Sequence, residues 1–223
     1  LEIATAHRWA APARIRPVVN GVDLAHYSPA APVAPLPEAA DHVPTIVAVA
    51  PLRAEKRLDR LIALFARAAR DRPGRLLICG SGPCADELRA QAAATDLRDR
   101  IVFAGQLADV RRALTPSSVF ALTSVTEQMP NALLQAMAMA RPVVAFGAGD
   151  VGRILPATDP PQTFAQADGD GFAAALERLL ADGDLRARLG QVNRERAESA
   201  YDMSAMVAAY DRLYREALER RDL

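Results

Sequence analysis

The segment SVFALTSVTEQMPNALLQAMAMARPVVAF (118–146) holds a strand, a loop, a helix and a second strand in one run. SVFALT (118–123) is apolar without polar alternation, the pattern of a strand covered on both faces. Glu127 follows it, and Pro130 opens a helix of small residues over 130–140. Arg141-Pro142 breaks that helix, and PVVAF (142–146) is β-branched enough to be the next strand. A strand that returns through a helix to another strand predicts a right-handed parallel crossover.

The same alternation recurs on the N-terminal side of this segment. TIVAVA (45–50), RLLICG (75–80) and IVFAG (101–105) are further unbroken apolar strands. Between them, residues 56–72 place Leu58, Leu61, Ile62, Leu64, Phe65 and Ala68 at helical spacing, 84–94 reads as a helix and 108–114 as a short one. Five strands separated by helices predict a doubly wound α/β fold with a parallel sheet. From Gly171 to Arg220 three helices are expected, broken at Asp182-Gly183-Asp184 and near Tyr201-Asp202, giving a helical C-terminal tail. Asn20-Gly21 is a turn signal and 29–37 a Pro/Ala loop, so the start of the chain reads as an irregular lead-in.

Composition bounds the function classes. The chain has 223 residues, 51% hydrophobic and 24% charged, ordinary for a globular protein of one large or two small domains. Formal net charge is zero, so bulk charge gives no footprint for nucleic acid or membrane. No apolar run approaches the ~20 residues of a membrane span. Cys79 and Cys84 make no disulfide framework, and His7, His26 and His42 all lie early, so no His/Cys metal cluster is expected. A reducing, cytosolic setting is the default. The opening at Leu1, without a signal peptide, suggests a piece cut from a longer chain. Of 27 basic residues only Lys56 is Lys, which draws attention to its position.

In open parallel sheets, ligands sit outside the carboxyl ends of the strands. The sequence puts PLRAEK (51–56), GSGP (80–83), GQL (105–107), EQMPN (127–131) and GAG (147–149) there. Helix-start N–H groups and a carboxylate aimed at one point suit a phosphorylated sugar. Each feature has a plainer account: turn glycines at Gly80 and Gly82, a solvated helix residue at Lys56, an exposed loop acid at Glu127. Their shared edge favours a site. Asp168-Gly169-Asp170 and Asp182-Gly183-Asp184 have the spacing of metal-binding pairs, but each directly precedes a helix, where Asp is a favoured cap.

The ordered set resembles the C-terminal, donor-binding domain of the retaining GT-B glycosyltransferases of glycosyltransferase family 4 (glycosyl transferases group 1). VVNGVDLAHYSP (18–29) is similar to the family's interdomain segment, VAPLRAEKRLDRLIALF to its first strand and phosphate loop. ICGSGP, IVFAG and EQMPNALLQAMAMARPVV follow in family order, and SAYDMSAMVAAYDRLY is similar to the closing helix. The resemblance implies an interdomain lead-in over 1–40, a Rossmann-like nucleotide-sugar domain over 41–200 and a crossover helix over 201–223. It implies a UDP-, GDP- or ADP-sugar donor, with no further cofactor or metal required. Lys56, Arg53, the backbone of Gly80 and Gly82, and the N–H groups around Pro130, Asn131, Ala132 and Leu133 would hold phosphate. Glu127 would contact the transferred sugar as the catalytic carboxylate, Gln135 the ribose, and Gly105, Gln106 and Leu107 the base. The partner would be a missing N-terminal domain carrying the acceptor site and any peripheral contact with the inner face of a membrane. The chain alone is then expected to be inactive, and its closing helix could pair it into a dimer.

The chain departs from the family pattern at three places. Gln135 stands where a second Glu is expected, Ala50-Pro51 replaces Gly-Arg, and Gly152-Arg153 replaces a later Pro-Glu. Gln still hydrogen-bonds a hydroxyl, but without charge. These changes motivate a second reading, a non-catalytic nucleotide-sugar-binding or scaffold protein. A UDP-sugar 2-epimerase-like enzyme is a third. A Rossmann dehydrogenase is disfavoured because no GxGxxG follows the first strand.

Overall fold

The computed structural model describes residues 16–39 and 43–219. The ends of the expected lead-in and tail, residues 1–15 and 220–223, lie outside them. The strands are β1 (Thr45–Val49), β2 (Arg75–Cys79), β3 (Ile101–Gly105), β4 (Val119–Leu122), β5 (Val143–Phe146) and β6 (Thr163–Phe164). They form one all-parallel sheet in the order β3-β2-β1-β4-β5-β6. Strand order reverses between β1 and β4, and a crevice opens at the carboxyl ends of such a pair.

The helices between strands are α1 (Leu58–Ala68), α2 (Ala85–Ala93), α3 (Arg111–Leu114), α4 (Asn131–Ala138) and α5 (Val151–Ile154). The tail is α6 (Gly169–Ala181), α7 (Gly183–Ala200) and α8 (Met203–Glu219). Helices cover both faces. On one, α1 buries the six apolar positions that marked it in the sequence, with α6 beside it; each of its buried Leu, Ile and Phe side chains contributes about 1.5–3 kcal/mol. Phe146 and Phe172 stack there at 4.4 Å between centroids. On the other, α4 buries Leu133, Leu134, Ala136, Met137 and Ala138. Asp168 and Asp182 accept from the N–H of Gly171 and Leu185, each at 2.8 Å, so both DGD pairs cap helices.

Three elements differ from expectation. The first helix starts at Leu58 rather than Lys56. Residues Ala54–Lys56 form a 3-10 turn, and Arg57 is left-handed (φ 48°). The cause is tertiary: the carbonyls of Glu55 and Lys56 accept from Val125 N and Thr123 Oγ1, at 3.0 Å each, and so are not available to a helix. The sheet has a sixth strand, β6. It is two residues long and is anchored by the buried Gln162, whose Oε1 accepts from Val143 N at 2.8 Å and whose amide pairs with Asn193. Helix α5, one turn long, was also unforeseen.

The lead-in joins the tail through Val22, which exchanges bonds with Tyr201 and Met203 (2.8 and 3.1 Å). Beyond that point α8 carries Val207, Tyr210, Tyr214 and Leu218, all exposed and at helical spacing. Among the described residues no helix is long and apolar enough to cross a membrane.

Candidate functional site

The loops leaving β1 and β4 bring Lys56 and Glu127 together at the point of strand reversal. Lys56 Nζ lies 2.6 Å from Glu127 Oε1, and the side chains are 18% and 9% exposed. Ser124, itself buried, donates its hydroxyl to the same oxygen at 2.7 Å. The two bonds across from residues 123 and 125 to residues 55 and 56 lock the loops in this register. A carboxylate this far from water needs both partners, because an uncompensated buried charge costs several kcal/mol.

Glycines let the backbones approach. A Cβ on Gly149 (φ 53°) would lie 1.7 Å from the carbonyl oxygen of Glu127. On Gly80 (φ 143°) it would lie 1.9 Å from that of Ala50, and on Gly82 2.4 Å from that of Leu52. So the loop after β5 braces the Glu127 loop, and the loop after β2 braces the loop after β1.

Beside this crevice a cavity of about 430 Å³ opens over the ends of β1, β2 and β3. Its lining includes Pro51, Gly80, Ser81, Gln106, Leu107 and Ala132. It is mainly apolar with a few polar groups, the usual character of a small-molecule site. Cys79 also lines it, and burial pushes its thiol pKa up to about 12, so it is a neutral wall rather than a nucleophile. Among the described residues no three His, Cys, Asp or Glu side chains could share a metal ion.

The architecture agrees with the comparisons to known proteins. The family model described as Glycosyl transferases group 1 matches residues 43–182, which include every strand, Lys56 and Glu127. The chain belongs to that family.

Its relatives include the N-acetyl-alpha-D-glucosaminyl L-malate synthase of Bacillus anthracis, 24% identical over 78% of this chain and 45% of its own length. The phosphatidyl-myo-inositol mannosyltransferase of Mycolicibacterium smegmatis is 34% identical over 69% of this chain and 40% of its own. The chain spans about half the length of the curated relatives it matches. Among solved structures, the sucrose-phosphate synthase of Thermosynechococcus elongatus superimposes with a TM-score of 0.80 at 25% identity, over 98% of this chain and 57% of that one. Anabaena HepE, solved in complex with UDP, has the same fold at a TM-score of 0.83 and 16% identity, covering 96% and 61%.

Set against the family's expected residues, the structure brings Lys56 and Glu127 together and places Gln106, Leu107 and Ala132 around the cavity with Gly80. Others fall differently. The N–H of Gly80 is taken by the carbonyl of Gly105 at 2.7 Å. Pro130 has no N–H, and Leu133 spends its own on Pro130 O at 3.1 Å, so Asn131 and Ala132 carry the amides that α4 cannot use. Arg53 lines a separate cavity of about 320 Å³ between α1 and α2, with Arg57 and Glu87. Gln135 donates to the Tyr27 hydroxyl at 2.9 Å, and both line a small cavity with Gly21 and Met203. Burial, and next the nearby Asp109, raise the pKa of that phenol, so it stays protonated at neutral pH. Ser124 and Tyr27 went unforeseen as parts of this edge. The signal for Ser124 was its place three residues before Glu127; Tyr27 lies within 18–29, the stretch that resembles the family's interdomain segment.

Proposed function

We propose that this chain is the donor-binding part of a retaining GT-B glycosyltransferase of family 4. The whole enzyme would transfer a hexose-type sugar from a UDP-, GDP- or ADP-sugar in polysaccharide or glycolipid synthesis. The observation that carries the proposal is the Lys56–Glu127 pair at the strand reversal, beside a cavity of nucleoside size. The base enters that cavity against Gln106 and Leu107. The diphosphate lies across the crevice, against Lys56 and the backbone amides of Gly82, Asn131 and Ala132. Negative charge grows on the departing diphosphate, and fixed cations and helix-start amides stabilise it most there. Glu127, with one oxygen held by Lys56 and Ser124, offers the other to the transferred sugar. Gln135 turns from Tyr27 to the ribose hydroxyls.

The acceptor site belongs to the remaining half of the protein, as does any contact with the cytoplasmic face of a membrane. Residues 1–40 and 201–223 form the connection, and the apolar stripe of α8 packs on that half. In its absence the stripe pairs two copies of the chain. UDP is the first nucleotide to try, because solved neighbours of the same fold carry it. Titration calorimetry with UDP-glucose, GDP-mannose and ADP-glucose tests the proposal. Binding of at least one donor at or below about 1 mM is expected, worth about 4 kcal/mol, with no sugar transfer by the chain alone. No binding of any donor at millimolar concentration would favour the scaffold reading, and transfer by the chain alone would contradict the division between halves.

A further inference from the structure

Glu127 is held by more than its own neighbours. Gln166, in the loop between β6 and α6, donates its side-chain amide to the carbonyls of Ser124 (2.9 Å) and Gly147 (3.2 Å). These carbonyls lie at the carboxyl ends of β4 and β5, in the two loops that meet where Gly149 touches Glu127. Gln166 is itself seated by Arg60 of α1. One guanidinium nitrogen donates to Gln166 Oε1 (3.3 Å) and the other to its backbone carbonyl (2.6 Å). The same guanidinium lies 3.5 Å from the Phe146 ring centroid, over the aromatic stack of the core. Only the amide NH₂ can donate to carbonyls, so this set of partners fixes which way the amide points.

We infer that Gln166, seated by Arg60, is a positioning residue for Glu127. It ties Ser124 to the β5 loop, and Ser124 in turn aims the Glu127 carboxylate. The chain of contacts runs from the core through Arg60, Gln166 and Ser124 to the carboxylate, and none of the first three need touch a ligand. The inference rests on the donor-site proposal, in which Glu127 reads the sugar and the cavity and Lys56 read the nucleotide. Loss of Gln166 should therefore weaken recognition of the sugar and spare recognition of the nucleotide. A merely structural role would weaken both alike.

The test is calorimetry with UDP and UDP-glucose, or with the GDP or ADP pair if that is the one that binds. The quantity read is the ratio of nucleotide-sugar to nucleotide affinity. Gln166→Glu keeps the side-chain volume but removes both donated bonds. It is expected to lower the ratio by about fivefold, with nucleotide affinity changed by less than about twofold. Glu127→Gln serves as the benchmark and should lower the same ratio. If Gln166→Glu does not fold, as judged by its thermal melt, Arg60→Met replaces it: it keeps an apolar contact on Phe146 but loses both bonds to Gln166, and the same direction is expected. A ratio that falls for Glu127→Gln but not for either supporting variant would overturn the inference alone. A ratio unmoved even by Glu127→Gln, or no binding by the unmodified chain, would overturn the donor-site proposal and the inference with it.

Discussion

Lys56→Met should weaken nucleoside-diphosphate binding by about tenfold to a hundredfold, the worth of a charge-assisted hydrogen bond. It should also lower stability by about 1–3 kcal/mol, because Glu127 would keep only the Ser124 hydroxyl in a site where its side chain is 9% exposed. The two effects separate in a double variant. Lys56→Met with Glu127→Gln removes both charges, so the penalty of a lone buried carboxylate disappears and the melting temperature should return close to that of the unmodified chain. Affinity for the diphosphate should not return, since the cation is still missing. Lys56→Arg keeps the charge on a planar fork in place of a compact ammonium at 2.6 Å from its partner, so an intermediate affinity is expected. Calorimetry and thermal melts on the four proteins check this. Recovery of binding in the double variant would show that Lys56 acts on Glu127 and not on a ligand.

Gly149→Ala should be strongly damaging for a single methyl group. The residue has φ 53°, which costs a non-glycine residue about 1 kcal/mol or more, and its Cβ would lie 1.7 Å from the Glu127 carbonyl oxygen. That neighbour is backbone and cannot rotate away. Either the loop after β4 moves, breaking the register that joins Lys56 to Glu127, or the strain stays in the fold. A loss of about 3 kcal/mol is expected, or roughly 6–12 °C in melting temperature for a domain of this size, together with a loss of donor affinity. Gly147→Ala is the control: its nearest contact for a Cβ is 3.6 Å, an ordinary distance, and a small effect is expected. Equal melting temperatures for the two variants would contradict this account of the loop.

The parallel sheet was legible because its strands are unbroken apolar runs, and β1 to β5 fall within a residue of the segments that marked them. Residues Thr163–Phe164 carried no such signal. Two residues cannot establish a period, and β6 depends on Gln162 meeting Val143 and Asn193, which are distant in sequence. The start of α1 was misplaced for a related reason: local spacing favoured helix at Lys56, and tertiary bonds from residues 123 and 125 overrode it. At the site, Lys56 drew notice as the lone Lys on the loop after the first strand and Glu127 as the acid on the loop after SVFALT; that the sheet reverses between those two strands and pairs the side chains was not legible. That Gly80 spends its N–H on Gly105, that Arg53 faces a different cavity and that Gln135 rests on Tyr27 depend on side-chain and loop directions that no motif encodes. Gln166 had no signal, since its importance lies in two carbonyls far away in the chain.

A crystal structure of the chain with the donor that calorimetry selects shows whether a nucleotide diphosphate lies across the β1/β4 crevice. The expected result has the base between Pro51, Gln106 and Leu107, the diphosphate within hydrogen-bond reach of Lys56 Nζ and the start of α4, and the sugar against Glu127. A nucleotide seated instead in the cavity between α1 and α2, against Arg53 and Arg57, would contradict it.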